Sequence, residues 1–263
     1  MSEEKLSLYN VDMKYNRELA NHDDNVLSNS PQIGKENRPY IGIIVLINGK
    51  HYCAPITSPK PKHNSMPKNF DYVKIYDNDR LISVINFNNM IPVCKAVISK
   101  IDIQIHKNDS PQVKKNKTLL AKELDWCQKN LATIMKKAQK TYEAVISGNS
   151  RNHKLIKRSC DFQMLEKVLE KWIEKEYKRC NDVLNANPEL KYKLDAAATE
   201  YNRKHNLTPL GNTATAEERC ERRAKVLNEN PELKSEYEKA EKAFDSNPVQ
   251  QQSQTTDKPK HRR

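Results

Sequence analysis

Arg38–His63 reads RPYIGIIVLINGKHYCAPITSPKPKH. Its first part, Ile41 to Ile47, is almost wholly apolar and β-branched, as a buried strand requires. Asn48-Gly49 follows directly, the strongest short-range signal for a two-residue type I′ turn, and Lys50 to Thr57 supplies the return strand. The stretch predicts a hairpin whose register can be written down: Ile47 opposite Lys50, Val45 opposite Tyr52, Ile43 opposite Ala54 and Tyr40 opposite Thr57. Pro55 has no N–H to give to a ladder, so it belongs at an edge or a bulge, and a bulge would shift the register by a residue.

The open end of this hairpin gathers Arg38, Thr57, Ser58, Lys60, Lys62 and His63: one guanidinium, two ammonium groups, two hydroxyls and an imidazole. Pro59 and Pro61 fix φ on either side of Lys60, so the lysines sit on a stiff segment with little entropy left to lose on meeting an anion. Such a cluster suits a phosphodiester. The same residues also read as a polar strand exit whose lysines keep a sheet edge soluble.

The chain of 263 residues allows one or two domains and a substantial core. Its net charge of +12 is unevenly spread: residues 1–182 hold 31 Lys and Arg against 21 Asp and Glu, residues 183–245 hold 11 against 12, and the last 18 residues 4 against 1. A polyanion partner for the first part is the natural inference. No apolar run approaches the roughly 18 residues of a membrane span, and MSEEKLSLYN lacks the apolar core of a secretory signal. A cytoplasmic protein with no membrane partner is expected. Six cysteines without a C-x-x-C read as reduced core thiols. Five glycines form no phosphate-cradling loop, seven histidines no H-E-x-x-H, and the acids no Mg²⁺ set, so neither metal nor cofactor is expected.

Leu8 to Met13 reads as a short strand, and Tyr15 opens a short helix reaching Ala20. A polar loop over residues 21–37 delivers Lys35 and Arg38 to the hairpin. Further strands at 72–76, 80–87, 90–93 and 97–105 make a mostly antiparallel sheet of about five or six strands. From Lys117 the period changes: Leu120, Leu124, Cys127, Leu131, Ile134, Ala138 and Val145 form one stripe, which predicts a single long helix ending near Gly148. Lys115, Lys122, Lys129 and Lys136 recur every seven residues along it, as a solvated face or as a track for an RNA backbone. Arg151 and Lys154 follow, and Asp161 is placed to cap a second helix that buries Phe162, Leu165, Leu169, Trp172 and Ile173. Residues 183–245 repeat a unit, VLNANPELK and VLNENPELK, each a helix, an Asn-x-Asn-Pro break and a second helix, with Asn187 or Asn230 as N-cap and the proline at N1. The division expected is 1–182, an α+β domain; 183–245, a helical extension; and 246–263, a disordered basic tail.

The Arg38–His63 stretch, VINFNNMIPV at 84–93, CDFQMLEKVLEKW at 160–172 and LYNVDMKY at 8–15 together resemble the ToxN/AbiQ family, the toxins of type III toxin–antitoxin systems, over roughly Leu8 to Trp172. The resemblance implies a compact, mostly antiparallel, partly open β-barrel similar to the MazF/Kid toxins, with packed helices. It implies an endoribonuclease that cuts A-rich cellular or phage mRNA without metal, serving abortive infection. It further implies inhibition by an antitoxin RNA of pseudoknotted repeats, which the toxin processes and with which it assembles into a closed ring. Carried onto this sequence, the family's T-S-P-K segment falls on Thr57, Ser58, Pro59 and Lys60, its active-site tyrosine on Tyr15, and the basic residue before the first barrel strand on Arg38, where some members have lysine. An upstream aromatic of some members has no counterpart, since that stretch reads Gln32-Ile33-Gly34.

Metal-free RNA cleavage uses the 2′-hydroxyl as internal nucleophile, so the protein must align the nucleotides, stabilise the phosphorane oxygens and assist proton transfer. Lys60 and Arg38 suit charge stabilisation, and Ser58 and Thr57 can donate to the scissile phosphate. Proton transfer stays open among Tyr15, Lys60 and His63, and His63 reads equally well as a loop histidine with one surface hydrogen bond. Lys35, Lys62, Lys115, Lys122, Lys129, Lys136, Arg151 and Lys154 are the candidates for holding RNA. Two other readings stand beside this one: a basic RNA-binding module without catalysis, which uses the same lysines and tyrosines, and a protein adaptor whose active part is the repeated helices, with the β part as scaffold.

Overall fold

Asn48 and Gly49 take φ of 49° and 80°, the left-handed pair that a type I′ turn demands, and they join strand β2 (Tyr40–Ile47) to β3 (Lys50–Thr57). The register is the expected one, with Ile47 opposite Lys50, Val45 opposite Tyr52 and Ile43 opposite Ala54, and it continues unshifted to Gly42 opposite Pro55. Pro55 is accommodated without a bulge because it falls between the β3 residues that pair β6 (Ile91–Pro92) and those that pair β5 (Arg80–Asn86). No ladder bond is asked of it there. Gly42 is required by close approach: a Cβ would lie 2.3 Å from the Ala54 carbonyl oxygen and 2.7 Å from Cys53 Sγ.

The structure is a computed structural model that describes residues 6–27, 40–67 and 69–246, with residues 40 and 41 as backbone alone. The chain forms two compact units, Met1–Glu170 and Lys171–Arg263. In the first, β1 (Leu8–Val11), β2, β3, β4 (Tyr72–Asp77), β5 and β7 (Ile98–Lys100) lie in the order β4-β5-β3-β2-β1-β7, with β6 beside β3 and every pair antiparallel. β4 and β7 end this order, so among the described residues strand pairing does not close the sheet. The fold is thus mixed α and β around an open antiparallel sheet.

Helix α1 (Met13–His22) is capped by Asp12, whose side chain accepts from the Tyr15 amide. A single helical turn, α2 (Lys62–Ser65), follows β3. The long helix expected over 117–148 is two helices, α3 (Pro111–Lys129) and α4 (Leu131–Ile146). The break is Asn130, at φ −115° and ψ 16°, whose side chain donates to Trp126 O at 2.9 Å while its own amide reaches back to Trp126 and Cys127. An asparagine that competes for the backbone in this way ends a helix without disturbing the apolar period, and the period therefore hid it. The seven-residue lysine stripe is split in consequence, with Lys136 on a different helix from Lys115, Lys122 and Lys129. The β pattern over 97–105 also yields a strand only at Ile98–Lys100, with one further bond from the Ile101 N–H to O of Leu8, where β1 begins.

The core of the first unit is Ile43, Val45, Ile47, Tyr52, Ala54, Ile75, Ile85, Phe87 and Ile91 from the sheet, covered by Cys127, Ile134 and Ala138 of α3 and α4. A short helix, α5 (His153–Lys157), leads to α6 (Phe162–Asn185), where Asp161 caps as expected and Phe162 and Leu165 are buried. In the second unit, α7 (Pro188–Lys204), α8 (Ala216–Glu229) and α9 (Pro231–Asp245) bury Leu190, Leu194, Tyr201, Val226, Leu227 and Tyr237 with Leu184 of α6. Here the two prolines do open their helices. Asn187 and Asn230 do not cap with their side chains, however: each donates its Nδ2 backward at 2.8 Å, to Val183 O and Val226 O. No helix among the described residues is long and apolar enough to cross a membrane.

Candidate active site

Strand β3 ends at Thr57, pinned opposite Val84 of β5, and the chain leaves the sheet as Ser58-Pro59-Lys60 before turning into α2. Thr57 Oγ1 accepts from Asn86 Nδ2 at 2.9 Å and has Val84 O at a long 3.4 Å. Because Asn86 occupies an acceptor lone pair, the Thr57 O–H is left as the donor, held only weakly by that carbonyl. Ser58, Lys60 and Lys62 are exposed, and Ser58 makes no hydrogen bond among the described residues. A half-buried threonine hydroxyl, an exposed serine hydroxyl and two exposed ammonium groups thus share one short segment at the end of a strand.

His63 lies on the same turn but faces inward, 6% exposed. Its Nδ1 accepts from the Lys60 backbone N–H at 2.9 Å, and its own N–H donates to Lys60 O at 2.8 Å. Burial pushes its imidazole below the ordinary range, helped by the charges of Lys62, Lys60 and Lys74. Lys74 of β4 holds the end of α2, donating its Nζ to Met66 O at 2.9 Å and to Asn64 O at 3.4 Å, and the Tyr72 hydroxyl donates to Pro67 O.

Tyr15 is not part of this cluster. Its ring is fully buried and its hydroxyl donates to Pro92 O at 2.7 Å, so burial, with Cys94 adding to it, raises its pKa well above the usual phenol value. A tyrosine so placed fastens α1 to β6 rather than facing a substrate. Arg38 and Lys35 lie outside the described residues. Lys115, Lys136, Arg151 and Lys154 are exposed on α3, on α4, and in and just before α5. Lys122 and Lys129 are engaged in ion pairs with Asp77 at 2.5 Å and Asp125 at 2.7 Å, the use expected of a solvated helix face. Among the described residues no group of three or more His, Cys, Asp or Glu is arranged to hold a metal ion.

Two supporting residues escaped the sequence reading. Asn86 belongs to the VINFNNM stretch but carries no spacing to Thr57, from which it is 29 residues away. Lys74 sits at a polar position of an alternating strand, where a lysine is unremarked.

The comparisons with known proteins converge on the first part of the chain. The family model for Toxin ToxN of type III toxin–antitoxin systems matches residues 7–170. Endoribonuclease ToxN of Bacillus thuringiensis subsp. kurstaki is 32% identical over 153 residues, covering 56% of this chain and 75% of that protein. Endoribonuclease ToxN of Pectobacterium atrosepticum is 28% identical over 165 residues, covering 61% and 90%. A solved structure from work on selective inhibition of a type III toxin by a non-coding RNA pseudoknot superposes with a TM-score of 0.53 at 27% identity, covering 64% of this chain and 98% of its own. The chain belongs to the ToxN family, the toxins of type III toxin–antitoxin systems.

Proposed function

We propose that this chain is the endoribonuclease toxin of such a system, held in check by a cognate repeat RNA with pseudoknotted units and acting on A-rich mRNA of the cell or of an infecting phage. The two named relatives are endoribonucleases, and the superposed structure is of a toxin inhibited by an RNA pseudoknot. The observation that carries the reading is the Thr57–Lys60 segment: a half-buried threonine hydroxyl at the end of β3, followed at once by an exposed serine hydroxyl and an exposed ammonium group.

In the proposed reaction the 2′-oxygen attacks the adjacent phosphorus, the O2′–P bond forms and the P–O5′ bond breaks. The products are a 2′,3′-cyclic phosphate and a 5′-hydroxyl end. The 2′-hydroxyl proton leaves to solvent, and the departing 5′-oxygen takes a proton from the Lys60 ammonium, which regains one from solvent; no water or metal is consumed. Ser58 and Thr57 donate to the phosphorane oxygens, and Arg38 adds a planar fork to the same charge. Residues 1–182 carry this activity, with a partly open barrel as their full form, and residues 183–245 act as an extension of the ring-shaped assembly with RNA.

The test is cleavage of an A-rich RNA in excess EDTA by the purified, antitoxin-free protein beside its Ser58→Ala variant, with end-group analysis. Cyclic phosphate ends from the wild type, and a rate lower by about 10²- to 10³-fold in the variant with unchanged antitoxin-RNA affinity, are expected. Intact RNA that still shifts on a gel would replace the nuclease by a binding module.

A further inference from the structure

We propose that His63 is a positioning residue, holding the Ser58-Pro59-Lys60 turn in its working shape through the Lys60 backbone as a neutral imidazole protonated on Nε2. The proposal rests on the reading of residues 57–60 as the cleavage site.

The two residues are bonded twice. The His63 amide donates to Lys60 O at 2.8 Å, and the Lys60 amide donates to His63 Nδ1 at 2.9 Å. A backbone N–H can only donate, so Nδ1 must present its lone pair, and the single proton of a neutral ring then sits on Nε2. Reciprocal bonding of this kind closes a four-residue ring, by the logic that makes a capping box rigid. The remaining freedoms of the turn are already few. Pro59 and Pro61 set φ around Lys60, and on the far side Lys74 Nζ holds Met66 O while the Tyr72 hydroxyl holds Pro67 O. The imidazole supplies the last restraint, on the residue whose ammonium faces solvent.

The ring is also poorly placed to act as a free acid or base, being 6% exposed beside exposed Lys60 and Lys62. Among the described residues the charged groups that bear on it are cationic, Lys62 and Lys60 from its own turn and Lys74 from β4. Burial and these lysines keep it neutral, with a pKa below the ordinary histidine value. Protonation would put a second donor against the Lys60 N–H, break the bond and release the turn. The restraint is therefore whole above the ordinary histidine range and is lost as pH falls through the lowered value.

The test compares full-length wild type, His63→Asn and His63→Ala in kcat and KM on A-rich RNA from about pH 5 to 8, with ¹⁵N NMR of the His63 ring and circular dichroism of each protein. An asparagine Oδ1 lies near the place of Nδ1, accepts the Lys60 N–H and does not titrate. The expected result is a kcat about 10²-fold lower in His63→Ala with KM little changed. His63→Asn should recover most of that loss and lack the acid limb of the wild type, and the wild-type ring should titrate as the Nε2–H tautomer. His63→Asn as slow as His63→Ala would overturn the proposal, because the ring itself would then be moving the proton. So would His63→Ala at the wild-type rate, or an Nδ1–H ring at neutral pH. If His63→Ala does not fold, the pH profile of His63→Asn against wild type decides. If the wild type cleaves nothing, the nuclease reading fails while the NMR titration still decides the hydrogen bond.

Discussion

Thr57 shows how a single neighbour can decide what a hydroxyl does. Asn86 Nδ2 donates to its oxygen at 2.9 Å, which leaves the O–H as a donor held only by Val84 O, 3.4 Å away, and in the proposed reaction available to a phosphate oxygen. Asn86→Ala removes that orientation and should lower kcat/KM about 10-fold. Asn86→Asp should cost more, about 10²-fold, because the introduced carboxylate captures the Thr57 O–H as acceptor and sets a negative charge beside the proposed phosphodiester site. Single-turnover cleavage of one RNA by the three proteins checks the order. Equal rates for the two variants would remove Asn86 from the site. Tyr15 is the contrary case, a residue whose family position suggests chemistry and whose surroundings here are those of a buried strut, its hydroxyl on Pro92 O.

At the scale of elements, the hairpin is tied to the helices by one carboxylate. Glu166 of α6 accepts from Lys50 and Tyr52 of β3, and from the Tyr142 hydroxyl of α4 at 3.0 Å. Phe162 stacks on Tyr142 with ring centroids 5.5 Å apart and meets Tyr52 edge-on at 5.8 Å, so the polar knot sits on an aromatic cluster. Burial works to raise the Glu166 pKa, but the hydrogen bonds from Lys50, Tyr52 and Tyr142 outweigh it and the net shift is downward. A carboxyl lowered on folding stabilises above its unfolded value, about pH 4.3, and that contribution is lost as pH falls through the folded value. Glu166→Gln should cost about 1–3 kcal/mol at pH 7. Thermal melts across pH check this: the gap in Tm between wild type and variant should narrow below about pH 4.3. A gap independent of pH would mean that charge has no part in the knot.

At the scale of the molecule, the second unit has what independent folding requires. It holds a core of its own around Leu190, Leu194, Tyr201, Val226 and Tyr237. Arg179 is shared by Glu176 at 3.0 Å, Glu241 at 2.6 Å and Asp245 at 3.1 Å. The two repeats also reproduce each other in detail: Lys191 Nζ meets Asn185 Oδ1 at 3.0 Å and Lys234 Nζ meets Asn228 Oδ1 at 3.0 Å, beside the matching backward bonds of Asn187 and Asn230. A fragment of residues 171–263 should therefore give a helical circular dichroism spectrum and a single cooperative melt. A broad, non-cooperative transition would show that this core does not suffice by itself.

The hairpin, its turn and its register were legible in Asn48-Gly49 and the apolar run before it. So were the Asp161 cap and the repeat, because each depends on residues a few positions apart whose local preferences agree. The polar cluster at Thr57–Lys62 was legible for the same reason, since it is contiguous. Tertiary structure alone decided which of those groups face solvent and what surrounds them: it turned the His63 ring inward onto the Lys60 N–H, buried Tyr15 against a carbonyl 77 residues away, brought Asn86 to Thr57 and set Lys74 on the Met66 carbonyl. Periodicity records which face of an element is apolar, and turn chemistry records where the chain reverses. Neither records which polar atom, far along the chain, will satisfy a given buried donor. That pairing exists only once the strands and helices are packed.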